Sequence, residues 1–474
     1  YMRYVWMGSN RFGLVLTSRL FGLTRLSPWM SNILMLVAMW CTMLLLAFSS
    51  YVWTGRSSRY RFFIRIFPVL FITAPIFTEQ YLFVLQSFEI SVGILAAVIA
   101  ACFSDGFSCK KLTWGAFAGI FFLVWALGSY QVLAPFYISL VLLAFLLRYI
   151  NGGAGQALSY GLRQVGYFAL GMAAYGVIVI LCRRISGTDS TYISDLVRWR
   201  IDGTEAGINA IKTTMWNVLT GTNVFYRKYY GPAMVLCVCQ CLGYGWMKKT
   251  NIRNYAWFLL GGFLFLLSPF YMNILTGAVQ PLRAQLVYPL VASVFLAHLT
   301  VLPELGTLGN DRKCWNFQPY VSRLLVLVCA FCAMRQGADT IQLFQTAREA
   351  YRNDVLAANR MYPEICRIAD RPDMEQCVVV FTGGMDSGLQ GPAVLGELAG
   401  RSFFDAEAHT AGGVSARAGC LFQILGMDLQ VQPENLEQYH QAIQFMKDAP
   451  DWPAQGSIRK MGDVVVVRLS ESWI

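Results

Sequence analysis

Carboxylates are missing from the start of this chain: no aspartate or glutamate precedes Glu79. Charge is scarce throughout, with Asp, Glu, Lys and Arg making up 14% of residues, where ordinary globular proteins carry about 25%. Histidine occurs only three times, at His298, His409 and His440. That leaves no Ser/His/Asp arrangement and no metal-ligand spacing. There is no internal repeat and no low-complexity tract. These shortages exclude soluble cytosolic enzymes, disordered chains and disulfide-stapled secreted scaffolds. Apolar residues are abundant instead: 56% of 474 residues are hydrophobic and the mean hydropathy is +0.47. A water-soluble core cannot hide that much, so the chain reads as an integral membrane protein with the bilayer as solvent.

The net charge of +11 reads as anchoring charge against membrane lipids rather than as a nucleic-acid surface. The thirteen cysteines form no framework. Cys237-Val-Cys-Gln-Cys241 resembles a metal cluster on paper, but it lies in an apolar run with no histidine near.

Spans of about 20 apolar residues fall near 28–50, 62–80, 89–104, 113–129, 131–149, 165–182, 232–247, 254–274, 285–303 and 319–335. This predicts about ten transmembrane helices. Alternate short loops carry Arg56, Arg59, Arg61 and Arg65; Lys110 and Lys111; Arg148 and Arg163; Lys248, Lys249 and Arg253; and Arg312 and Lys313. The opposite short loops, around 79–89 and 130, hold no lysine or arginine. The basic loops are therefore expected in the cytoplasm. An amphipathic segment, 1–27, a long loop near 183–231 and everything after the last span then face outward. From 336 to 474 the composition shifts to a helix or two, a buried strand over Cys377–Phe381 and another over Asp463–Leu469, which predicts an exported α/β domain. In an oxidising compartment Cys366 and Cys377 are a candidate disulfide.

The outward-facing charges are where chemistry is expected. Glu79 ends one span and Glu89 opens the next, and carboxylates at a membrane are costly enough to suggest a purpose. Arg283 follows Gln280-Pro-Leu at the outer mouth of a span, where a guanidinium can grip a phosphate. Arg11, Arg227 and Lys228 lie on the same side, with Arg19, Arg198, Arg200 and Lys212. Val380-Phe-Thr-Gly-Gly-Met-Asp-Ser387 looks like a pyrophosphate-cradling loop, but Thr382 replaces the usual serine and Gly391-Pro392 breaks the helix that should follow. It reads as a strand-to-loop turn.

Three stretches carry a resemblance: Asn10-Arg-Phe-Gly-Leu-Val-Leu, then Pro75 to Ser91 with its Glu-Gln-Tyr-Leu-Phe core, and last the tail with Pro450-Asp-Trp-Pro-Ala-Gln-Gly-Ser457 and Val464-Val-Val-Val-Arg-Leu-Ser470. In these the chain resembles the O-antigen glucosyltransferase II family, polytopic GT-C-class membrane glycosyltransferases. The resemblance implies a GT-C-like fold in the bacterial inner membrane with its active site on the periplasmic side. It implies a polyprenyl-phosphate-glucose donor and an O-antigen glycan acceptor. Glu79 is then the candidate catalytic acid, unless the principal one lies before Tyr1, where the reading expects a further span and outer loop. Arg283, Arg11, Arg227 and Lys228 are expected at the donor phosphate; Glu89, Gln80 and Tyr81 are expected at the sugar or acceptor. No cofactor is implied, and a divalent ion has no assigned ligands. A transporter or flippase for a glycan intermediate, an O-antigen polymerase and an acyltransferase remain rival readings.

Overall fold

The computed structural model describes residues 6–23, 27–103, 114–187, 196–248, 251–301, 318–369, 378–390, 393–405, 413–427, 429–431 and 436–471. Lys110, Lys111, Lys249, Arg312, Lys313 and Cys377 lie outside them. The chain is mostly helical and divides into two compact units, Tyr1–Asp339 and Thr340–Ile474.

The helices of the first unit, in chain order, are α1 (Phe12–Leu20), α2 (Pro28–Trp53), α3 (Arg61–Ile72), α4 (Ile76–Tyr81), α5 (Ser87–Phe103), α6 (Trp114–Ser129), α7 (Leu133–Gly152) and α8 (Ala154–Ser186). Then come α9 (Gly203–Thr220), α10 (Tyr230–Lys248), α11 (Ile252–Leu267), α12 (Tyr271–Thr276), α13 (Val287–His298) and α14 (Gln318–Ala369), which runs on into the second unit. Among the described residues, five helical stretches are long and apolar enough to cross a membrane: Pro28–Trp53, Leu133–Gly152, Ala154–Ser186, Ile252–Thr276 and Tyr320–Ala369. Four shorter apolar helices cover Ser87–Phe103, Trp114–Ser129, Tyr230–Gly243 and Val287–Val301. Helices suit such a chain because they satisfy their own backbone hydrogen bonds where water is absent.

The span expected over 62–80 is two elements. Ala74 precedes Pro75, and the proline ring disfavours helical backbone in the residue before it, so α3 ends at Ile72 and α4 starts afresh. Thr73 closes α3, its backbone amide donating to the Val69 carbonyl at 3.1 Å. Glu79 therefore rides on a separate short helix. Two other boundaries differ from the sequence reading. The segment expected as a loop before 165 is helical, being the first third of α8, and the long loop near 183–231 contains α9.

Small side chains let the bundle close, as in membrane helix packing generally. Helix α5, which packs against α2 and α6, buries Ser91, Gly93, Ala97 and Ala101. At Gly93 an added Cβ would stand 2.8 Å from the Leu133 side chain and 2.9 Å from that of Ser129. Aromatic rings fill the wider gaps. Phe63 stacks on Phe67 at 5.6 Å, and Phe71 meets Phe77 edge-on at 5.1 Å. Phe63 also meets His298 edge-on at 6.3 Å, where α3 packs on α13.

The second unit is α/β. Strands β1 (Val378–Thr382), β2 (Gln430–Val431), β3 (Ile458–Met461) and β4 (Val464–Arg468) form one sheet in the order β2-β1-β4-β3. Strand β1 runs parallel to β2 and β4, and β3 pairs antiparallel with β4 across a two-residue turn whose Gly462 has φ +59°. Both faces are covered, which is why β4 can read as an unbroken valine run. Val379, Phe381, Val465 and Val467 face Met361 and Ile365 of α14 and the helix Gly413–Ile424 (α15). Val380, Val464 and Val466 face Tyr439, Ala442 and Met446 on and after the helix Leu436–Phe445 (α16). Asp354 is buried and accepts from Ser402 Oγ at 2.6 Å and from the Phe403 amide at 2.7 Å.

The glycine loop after β1 is held by the chain's own tail. The Gly384 amide donates to Ser470 Oγ at 3.0 Å, and the Leu469 amide donates to the Thr382 carbonyl at 2.9 Å. Gly383, at φ +72°, leaves no room for a Cβ against the Ser470 carbonyl. One amide that a phosphate cradle would need is thus already engaged.

Candidate active site

Three chain segments build the site. The first is the turn Asn10–Gly13. Asn10 takes a left-handed conformation, φ +61°, which asparagine tolerates better than most residues. Its Oδ1 accepts from Arg183 Nε at 2.9 Å. Gln131 Nε2 donates to the Ser9 carbonyl at 3.0 Å. Phe12 lies over Gly128, where an added Cβ would come 2.5 Å from its ring, and Gly13 sits against the Ser129 backbone at the same separation. Pinned from both sides, the turn delivers Arg11: its Nη1 donates to Gln86 Oε1 at 3.3 Å, and its guanidinium lies 5.0 Å from the Tyr130 ring centroid.

The second segment is 74–89. Pro75 opens α4, on which Phe77, Thr78, Glu79 and Gln80 are all buried. Glu79 is 0% exposed. Gln80 Nε2 is buried and takes no hydrogen-bond partner, and the same holds for Oε2 of Glu89 in the first turn of α5. Tyr81 stacks on Phe77 at 5.9 Å and packs against Met35, Ala38 and Phe88.

The third is the turn after α12. Gly277, at φ +68°, lies under the Trp199 indole, whose Nε1 donates to the Ile274 carbonyl at 3.0 Å. Gln285 Nε2 donates to the Gln280 carbonyl at 2.9 Å, closing the turn Leu282–Ala284 that carries Arg283. That turn packs directly on α4. The Arg283 guanidinium stands 5.7 Å from the Phe83 ring centroid.

Glu79's helix, Arg283 and Arg11 are thus brought together around the 74–89 segment. Arg227 and Lys228 lie to one side, lining a cavity of about 310 Å³ with Tyr226, Tyr229 and Arg335. This cavity is tied to the rest by three bonds. Tyr226 Oη donates to Gln285 Oε1 at 2.6 Å, Gln336 Nε2 donates to Tyr229 Oη at 2.6 Å, and Thr73 Oγ1 donates to Gln336 Oε1 at 2.8 Å. Arg227 forms an ion pair with Asp339 at 2.5 Å. Gln86, Gln285, Gln336 and Asp339 are not singled out by the sequence. The only advance signal is that Asp339 follows Arg335 by four residues, the spacing of neighbours on one helix face.

A second, apolar cavity of about 600 Å³ opens between α7, α8 and α11. Val141, Phe145, Leu162, Val165, Phe168 and Trp257 line it. Gly261 makes its floor: an added Cβ there would come 2.7 Å from the Phe145 ring. Among the described residues no three His, Cys, Asp or Glu side chains gather closely enough to hold a metal ion. Cys366 is half-buried on α14; its proposed partner lies outside the described residues.

No curated protein and no solved structure matches the chain. A family model does: that of glucosyl transferase GtrII matches residues 1–303, which include α1 to α13, Glu79, Arg11, Arg227 and Arg283. A membrane protein by its apolar helices, the chain belongs to the glucosyl transferase GtrII family.

Proposed function

We propose that this glucosyltransferase moves glucose from a polyprenyl-phosphate donor to an O-antigen or related surface glycan, at the periplasmic face of the inner membrane. The observation that carries the reading is the packing of the helix that bears Glu79 on the turn that bears Arg283.

In this reading Glu79 accepts the proton of the acceptor hydroxyl as its oxygen attacks the anomeric carbon. The bond from that carbon to the donor phosphate breaks, and polyprenyl phosphate leaves with the added negative charge. Arg283 and Arg11, with Arg227 and Lys228 beside them, stabilise that charge. Gln80, with its buried amide unpartnered, and Glu89 and Tyr81 orient sugar hydroxyls. The cavity between α7, α8 and α11 supplies an apolar slot for the polyprenyl tail, open to lipid from the side.

The test is glucose transfer from synthetic polyprenyl-phosphate glucose by the purified full chain. Glu79→Gln is expected to lower kcat by about 100-fold or more, the usual worth of a positioned base. Arg283→Ala should lower kcat/KM for the donor by about tenfold to a hundredfold, that is ~1.4 to 3 kcal/mol. If each variant transfers glucose at the wild-type rate, the assignment of the site is wrong.

A further inference from the structure

Arg227 is held by a buried carboxylate. Its Nη1 donates to Asp339 Oδ2 at 2.5 Å, and the other oxygen of Asp339 lies 3.5 Å from Arg335 Nη2. Asp339 is 3% exposed. The turn of α14 that bears it is fixed one residue after Arg335, where Gln336 bridges Thr73 and Tyr229. A guanidinium is a rigid planar fork, so anchoring one of its nitrogens sets the direction of the rest. The rest is unused: Nε and Nη2 of Arg227 are buried and have no hydrogen-bond partner. Leaving buried charged donors empty is costly, and such groups are commonly completed by an ion, a water or a ligand.

Space for a ligand adjoins this residue. Arg227, Lys228 and Arg335 all line the same cavity of about 310 Å³. Lys228 and Arg335 are exposed, and Asp339 neutralises one of the three cations. An anion with two oxygens for the open edge and charge left over for two flanking cations is a phosphate group. The cavity wall joins the catalytic side through Tyr226 and Gln285, two residues after Arg283.

We infer that Asp339 is a positioning residue. It holds the Arg227 guanidinium so that Nε and Nη2 form a ready fork for the phosphate of a lipid phosphate ester, while Lys228 and Arg335 close around it. The inference rests on the lipid-phosphate reading of the donor above and adds the residue that organises its anion site.

The experiment measures binding of farnesyl phosphate, and separately of inorganic phosphate, to the purified full chain in detergent, beside glucose transfer. Wild type should bind farnesyl phosphate with an affinity that falls as salt rises. Asp339→Asn should weaken that binding at least tenfold with an unchanged melting temperature and an unchanged KM for the acceptor, which a merely structural role would not deliver. Arg227→Lys should weaken it as much, because a point charge cannot reproduce the fork. Lys228→Gln and Arg335→Gln, changes at exposed positions, should each cost about threefold. Farnesyl phosphate bound by Asp339→Asn within twofold of wild type overturns the inference. If that variant does not fold, wild-type binding by both Lys228→Gln and Arg335→Gln overturns it. Inorganic phosphate displacing farnesyl phosphate at equal concentration overturns the lipid assignment. A wild type that binds farnesyl phosphate as described but transfers no glucose would sink the proposed reaction and leave the anion site standing.

Discussion

A single residue's environment decides whether a charge at this site is held or merely present. Arg11 is held. Its neighbour Asn10 meets α8 while Phe12 and Gly13 meet the end of α6, and none of those contacts is near in sequence: Arg183, Gly128 and Ser129 all lie more than a hundred positions away. The motif containing Arg11 was legible in the chain, but the reason for its glycine was not. With backbone at 2.5 Å, Gly13→Ala has no flexible neighbour to push aside. It should cost about 1–3 kcal/mol, the usual penalty of overpacking. A lower melting temperature in detergent, accompanied by weaker donor binding through the displaced Arg11, is the expected result. An unchanged melting temperature would mean that α1 is free to move away. The same contrast holds for the acids. Glu79 announces itself because no carboxylate precedes it. Asp339 does not, since in sequence it falls just past the last apolar run and among residues of ordinary composition.

At the scale of elements, apolar runs locate most helices because membrane spans need length and composition and little else. They fail where a helix ends inside an apolar run. Nothing in the hydropathy of 62–80 marks the break at Thr73, whereas Ala74-Pro75 does, through sterics alone. Packing between elements is less legible still. The slot between α7, α8 and α11 depends on Gly161 and Gly261 facing Phe145, a pairing that spacing along the chain cannot reveal. Val165 is exposed in that slot, so Val165→Trp fills it without disturbing a buried contact. KM for a long polyprenyl-phosphate glucose should rise by about tenfold, ~1.4 kcal/mol of lost binding. KM for a farnesyl donor, too short to run the length of the slot, should stay near wild type. Equal effects on both donors would remove the tail from this slot. In the second unit one side chain ties the tail to the sheet. Arg468 donates to Asp451 Oδ1 at 2.8 Å and to the Met446 carbonyl at 2.6 Å. Arg468→Ala removes both bonds and leaves the Met446 carbonyl with the Ala449 amide alone, for about 1–2 kcal/mol. Proteolysis within 340–474 should accelerate by roughly 5- to 30-fold, with the membrane fragment digested as before.

For the whole molecule, the reaction proposed here depends on which side of the membrane receives the site, and that is a matter of charge distribution rather than of any contact. Arg56 and Arg59 lie between α2 and α3, and Arg61 and Arg65 in the first turns of α3, while the 74–89 segment at the other end of α3 has no lysine or arginine. Moving four arginines across a bilayer is disfavoured far more than moving a loop with none. In the orientation proposed here the α2–α3 loop stays in the cytoplasm and the break after α3 places Glu79 on the outer side. The reaction proposed for Glu79 and Arg283 requires lipid-linked sugar and surface glycan to meet on that side. Reporter fusions decide it. Alkaline phosphatase joined after Ile474 should be active and green fluorescent protein there dark, with the pattern reversed for reporters inserted at Gly55. The opposite pattern would put Glu79 and its arginines in the cytoplasm, where an exported glycan is out of reach, and the acceptor proposed here would have to be abandoned even if glucose transfer itself were measured.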